Sequence, residues 1–340
     1  MPIFSASKLV TVDRHIVDEE EMHPEATGAF TSLLHDLTFA MRIIAREVRS
    51  AGLNDILGIT EDINVHGEQV RKLDKYANEV IYRALDHSGH LCAMVSEEAE
   101  DIMYIPKKFK KGNYVLVFDP LDGSTNIDVN ITIGTIFSIY RRLQPNSGLD
   151  GTLEDVLQPG NCQVAAGYVL YGSSTILVYT TGNGVNIFTY DPSIGEFLLT
   201  YEKIKMPYRG IYYSCNEGNY NRWDEKVKRY VDYLKTPSND GTRPYSLRYI
   251  AAAVADIHRT LHYGGIYMYP ADYLMPEGKI RLVYEANALA FIIEQAGGIA
   301  TNGEMRLLDI KPRSIHQRIP FFVGSPYDML ELQAFLKGEK

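Results

Sequence analysis

In this 340-residue chain the most constraining stretch is a short apolar run, Tyr114–Phe118, that passes directly into Asp119-Pro120-Leu121-Asp122-Gly123-Ser124-Thr125-Asn126. Such a run, closed by acidic, proline and glycine residues, reads as a buried strand that stops at a turn. A second run, Leu91–Val95, stops the same way in Ser96-Glu97-Glu98. Two carboxylates three positions apart, joined by Pro-Leu, can converge on one hard cation such as Mg²⁺, which takes oxygen ligands and keeps several waters. The Leu121 carbonyl is a further oxygen, and Gly123-Ser124-Thr125 offers backbone N–H groups to an anion. Each group also has a plainer reading. Asp119 and Asp122 fit a turn former or helix cap, Glu97 and Glu98 a solvated pair, and Glu285 a carboxylate opposing a helix dipole. Glu68 and Asp74, across a loop-to-helix junction, make a fourth acidic cluster. The succession of strand–SEE, strand–DPLDGSTN and a later Glu before an apolar helix favours a shared metal and phosphate site.

Around these strands the pattern is helix first, then sheet. Residues 1–26 are polar and acidic and read as an arm. Phe30, Leu33, Leu34, Leu37, Met41, Ile44 and Val48 recur at helical spacing, with Thr27 as cap and Gly52 as stop. Residues 54–68 read as a long loop, and Val70 to Ala84 as a second helix. Strands are expected at 133–141, 163–171, 175–181, 185–190 and 196–200. After residue 203 come a strand at 211–214, helices at 223–234, 249–261 and 285–295, and a last helix opening at Ser325-Pro326. Length and pattern suggest two domains, 1–203 and 204–340, of a layered α/β (α+β) protein. Lys279, which follows Pro276-Glu277-Gly278, is aimed by a turn and suits an anion pocket with Asn216. Arg281 reads as a solvated edge.

Composition excludes several classes. A formal net charge of −9 is the wrong sign for nucleic-acid binding. No apolar run nears the ~20 residues of a membrane span, and no signal peptide is evident, so a cytoplasmic location is expected. The three cysteines, Cys92, Cys162 and Cys215, form no CxxC pair. Cys215 and Arg222 have six residues between them, one more than a Cys-phosphate loop needs, and Asp119 and Asp122 are too far apart for a phosphoaspartate D-x-D. There is no P-loop. His258 and His262 lack the intervening Glu of a zinc helix and read as packing residues.

The motifs at Val95–Glu98, Phe118–Asp128 and Ile133–Phe137 resemble class I fructose-1,6-bisphosphatase, of the lithium-sensitive, metal-dependent phosphatase superfamily. So do Gly67–Asp74, Gly167–Gly172, Ser214–Gly218, Ala255–Gly265, Lys279–Asn287 and Glu294–Gly298. The resemblance covers residues 25 to 335. It implies a sugar-phosphatase fold of alternating αβαβα layers and hydrolysis of the 1-phosphate of fructose 1,6-bisphosphate by metal-activated water attacking in line. It implies two or more Mg²⁺ (with Mn²⁺ or Zn²⁺ as alternatives) held by Glu68, Glu97, Glu98, Asp119, the Leu121 carbonyl, Asp122 and Glu285. Asp74 with Glu98 would orient and deprotonate the water. Gly123, Ser124 and Thr125 would hold the 1-phosphate. Asn216, Tyr249, Tyr269 and Lys279 would hold the 6-phosphate, with Arg248 reaching in from a neighbouring subunit of a homotetramer. The family's nucleotide site maps to Thr27, Gly28, Thr31, Tyr114 and Arg141, although Ala29 and Asn113 replace a usual Glu and a usual Lys, so tight AMP control is not expected. Asn219 and Ala253 replace a usual Tyr and a usual Met beside the sugar. The loop 144–162 has a single Cys, so the redox switch of the chloroplast form is not expected. Two alternatives stay open: a sedoheptulose-1,7-bisphosphatase or dual-specificity enzyme, and a non-catalytic sugar-phosphate-binding regulator.

Overall fold

The structure is a computed structural model that describes residues 9–21, 28–51, 53, 57–63 and 69–340. Its helices are α1 (Val12–Glu21), α2 (Ala29–Ser50), α3 (Lys72–Leu85), α4 (Leu153–Val156), α5 (Glu225–Lys235), α6 (Ala253–Tyr263), α7 (Asn287–Gln295) and α8 (Pro326–Lys337). The first strands are β1 (Ile59–Ile63), β2 (Gln69–Arg71), β3 (Leu91–Ser96), β4 (Met103–Tyr104), β5 (Tyr114–Asp122) and β6 (Ile133–Arg141). Then follow β7 (Gln163–Tyr171), β8 (Thr175–Thr180), β9 (Val185–Asp191), β10 (Glu196–Ile204), β11 (Tyr212–Ser214) and β12 (Ser246–Leu247). The last are β13 (Ile266–Tyr269), β14 (Ile280–Arg281), β15 (Ile299–Thr301), β16 (Arg318–Ile319) and β17 (Phe321–Gly324).

Five layers alternate. The helices α1, α2 and α3 cover one face of an eight-stranded sheet of order β10-β9-β8-β7-β6-β5-β3-β4. On its other face α6 and α7 are sandwiched against a five-stranded sheet of order β12-β11-β13-β17-β15, and α5 and α8 close the outside. The stacking follows from sequence. The strands β5 and β6 are buried on both faces nearly throughout, so each sheet face needs a helical cover. The α2 stripe Leu33, Leu34, Leu37, Met41 and Ile44 supplies it on one side. α7 is apolar all round because it lies between two sheets.

Three expectations need correction. The arm contains α1: Val12 and Ile16, one turn apart, are buried in the first core, and His15 Nδ1 lies 2.6 Å from the Tyr179 hydroxyl. The loop at 54–68 includes β1, which pairs antiparallel with β2. The helix expected from Tyr249 begins only at Ala253, because Ala251 sits at φ 66°, outside the right-handed helical region.

Candidate active site

β3 and β5 run parallel in register, with Val95 opposite Val117 and Ser96 opposite Phe118, so their carboxylate-bearing ends lie side by side. The backbone locks that edge: Glu97 N–H donates to the Phe118 carbonyl (3.2 Å), and Glu98 N–H to Ser96 Oγ (3.2 Å). Asp119 to Asp122 is not a turn beyond the strand but its bulged end, with the register to β6 slipping between the two residues. Leu121 N–H donates to Asp119 Oδ1 (3.0 Å), and Thr135 Oγ1, buried on β6, donates to the Pro120 carbonyl (2.8 Å). Gly123 follows at φ 78°, and a Cβ there would sit 2.5 Å from that of Ala252, so only glycine fits. A 3₁₀ turn, Ser124–Val129, begins behind it.

Glu285 arrives from the other half of the chain. It lies in a single π-helical turn, Leu282–Ala286, ahead of α7 rather than at the start of an ordinary helix. Arg281 N–H donates to its Oε2 (2.6 Å). Asp119, Asp122 and Glu285 each place an oxygen within 4.8 Å of the others, all three buried.

The carboxyls of this cluster perturb one another. Burial, then Glu97, Asp122 and Glu285, hold the Asp119 carboxyl well above its ordinary range. Burial and then Glu285 push Asp122 up to about 8, and burial and then Glu98 push Asp74 up to about 8. Neither Asp119 nor Asp122 meets a Lys or Arg within ion-pair distance among the described residues, and Asp74 Oδ1 is buried without a hydrogen-bond partner among them. Buried acidic oxygens at this spacing fit hard divalent cations.

One cleft of about 290 Å³ gathers most of the predicted residues. Its lining includes the acidic groups Asp74, Glu97, Glu98, Asp119, Asp122 and Glu285 with Leu121, Gly123, Ser124 and Thr125, and also Asn216, Tyr249, Tyr269 and Lys279. Arg248 stays outside, exposed, with its guanidinium 5.4 Å from the Tyr212 ring. Glu68 and Thr27 lie outside the described residues. Ala253 lines the cleft, whereas Tyr220, next to Asn219, turns away to donate to Asp232 Oδ2 (2.6 Å).

Sequence reasoning missed Ala251, Tyr267, Ile280 and Arg281 as cleft residues. Arg281 is no solvated edge: it is 4% exposed and 4.0 Å from Glu97.

The remaining predicted residues lie at another corner. Gly28 N–H (2.7 Å) and the Thr31 hydroxyl both donate to the Glu20 carboxylate. The Tyr114 ring lies 5.7 Å from Phe30, and Arg141 is exposed at the end of β6.

Comparison with known proteins agrees over nearly the full chain. Residues 10–202 match the family model described as Fructose-1-6-bisphosphatase, N-terminal domain, and residues 206–337 the corresponding C-terminal domain. A fructose-1,6-bisphosphatase class 1 of Chloroherpeton thalassium is 55% identical over 330 residues, 97% of this chain and 94% of that protein. One from Nitratidesulfovibrio vulgaris is 54% identical over 323 residues, 94% of this chain and 96% of that protein. The crystal structure of Leishmania major fructose-1,6-bisphosphatase in holo form superposes with a TM-score of 0.89 at 40% identity, covering 96% of this chain and 98% of that one.

Proposed function

The chain belongs to the fructose-1,6-bisphosphatase class 1 family, and from that premise we propose how its cleft hydrolyses fructose 1,6-bisphosphate to fructose 6-phosphate and inorganic phosphate. The reading rests on one observation: the Asp119–Asp122–Glu285 cluster and the Asn216, Tyr249, Tyr269 and Lys279 group line a single cleft. A substrate with a phosphate at each end matches that layout. A phosphate cannot approach six carboxylates without added positive charge, because like charges at these spacings repel strongly where water is excluded.

Glu97, Glu98, Asp119, Asp122, Glu285 and the Leu121 carbonyl would hold divalent cations, Mg²⁺ being the best fit to an all-oxygen set. When bound, these ions supply Lewis-acid stabilisation of the negative charge that develops on the transferring phosphoryl group. The protein's own groups do the rest. Backbone N–H groups at Gly123–Thr125 hold the 1-phosphate in line for attack. Asp74, whose proton affinity is raised by burial and then by the nearby Glu98, takes the proton of the attacking water together with Glu98. Asn216, Tyr249, Tyr269 and Lys279 hold the 6-phosphate, and Arg281 offsets charge at Glu97. Arg248, exposed and outside its own cleft, would serve a neighbouring subunit of a homotetramer. Three unpaired cysteines and the absence, among the described residues, of a helix able to cross a membrane support a cytoplasmic location.

The test is phosphate release from fructose 1,6-bisphosphate, with and without chelator and with sedoheptulose 1,7-bisphosphate in parallel. Mg²⁺-dependent release from the first substrate is expected. No release under any metal condition refutes the reading.

A further inference from the structure

Tyr249, Ala251 and Ala253, in the segment that links β12 to α6, line the cleft, and the backbone of this segment is under strain. Ala251 lines the cleft at φ 66°, in the left-handed region that non-glycine residues seldom adopt. Such a conformation persists only where its surroundings over-determine it. Here the holder is visible. Asp256, on the first turn of α6, is 1% exposed and outside the set of groups used above. Both of its carboxylate oxygens accept from Ile250 N–H (3.1 Å each), and the Ala251 N–H adds to the field that stabilises it. Arg259 pairs with Asp256 Oδ1 (3.4 Å) and donates to the Arg248 carbonyl (3.4 Å), so the segment is gripped from both sides.

The same segment is stitched to the metal-ligand edge. Asn126 Nδ2 donates to the Ile250 carbonyl (3.1 Å), Val254 N–H donates to Asp122 Oδ2 (2.8 Å), and Ala252 packs on Gly123. A shift at Ile250 would therefore displace Tyr249 and Ala251 from the wall.

On the reading above, we infer that Asp256 is a positioning residue that holds the strained Tyr249–Ala251 wall in the shape that receives the sugar bisphosphate. It touches no reacting atom and acts on substrate affinity through the Ala251 backbone. Glycine at position 251 has no penalty at this φ, so relieving the strain there should make Asp256 less necessary.

A double-mutant cycle tests this. KM and kcat for fructose 1,6-bisphosphate and the calorimetric Kd for fructose 6-phosphate are measured at saturating Mg²⁺ for wild type, Asp256→Asn, Ala251→Gly and the pair. Asp256→Asn is expected to raise KM and Kd about tenfold with kcat within about threefold. In the Ala251→Gly background the same substitution should raise them less than about threefold. Equal rises in both backgrounds, or a loss of kcat with KM unchanged, overturn the inference. If Asp256→Asn does not fold, Arg259→Gln serves in the same cycle. It is expected to raise KM about threefold only where residue 251 is alanine, and equal rises again overturn the inference. An inactive wild type would instead strike the proposed function, and the product Kd still reads out the cycle.

Discussion

Two regions of the molecule handle negative charge in opposite ways. At the end of β5, Asp119 and Asp122 are buried beside Glu285, and what they meet is backbone N–H groups and one another. At the start of α2 the partial positive charge of the helix N-terminus meets the chain's own Glu20, which accepts from Gly28 N–H and Thr31. The first region leaves its charge for a ligand to balance; the second balances itself. A cluster whose electrostatics do not close within the fold is the better candidate for a binding site. The contrast also bears on the nucleotide corner expected from resemblance, since a second anion at α2 would have to displace or repel Glu20.

The largest test of this contrast is Asp119→Asn. Losing one ligand charge from the cluster should lower turnover by at least ~10³-fold. The melting temperature of the chelated protein should hold or rise, because a buried repulsive charge is gone. Phosphate release and thermal melting measure the two arms, and near-normal activity would dissolve the contrast. Next comes Lys279→Met in the same cleft. KM should rise about 10–100-fold with a smaller change in kcat, since the lost contact binds ground and transition states alike.

The pH dependence of stability sharpens the comparison further. In the folded, chelated protein Asp74 and Asp122 titrate near 8, against ordinary values of 3.8. Between those limits the folded state binds more protons than the unfolded state, so stability falls as pH rises through the window. Melting temperature without metal should therefore drop from pH 6 to pH 8.5, and Mg²⁺ should raise it more at the higher pH. A metal-induced shift independent of pH would show that these carboxyls do not see the ion. The smallest effect is expected for Glu20→Gln, a weakened helix cap worth about 1 kcal/mol, or about 1–2 °C, with turnover unchanged.

The local parts of the site were legible because each is a contiguous string. Ser96-Glu97-Glu98 and Asp119 to Thr125 announce themselves as strand ends with ligands, and the α2 and α3 stripes follow helical periodicity without outside help. The α1 helix was not legible, because its ten residues bury only a few apolar side chains against a sheet assembled from distant strands. The π turn at Glu285 was hidden for a related reason: i→i+5 pairing has no periodic signature in a stretch that is buried throughout.

Sequence alone thus determined which residues could ligate, most of the strands and helices, and that the charge pattern suits a phosphorylated small molecule rather than a polymer. Only the tertiary structure decided that Glu285 meets Asp122 across 163 positions of chain, that Arg281 turns inward beside Glu97, and that Asp256 holds the wall at Ala251. Backbone propensity and side-chain chemistry act over a few residues and can be read in order. The burial that raises a carboxyl's proton affinity, and the contacts that hold a strained backbone, exist only once both sheets and the helices between them have closed.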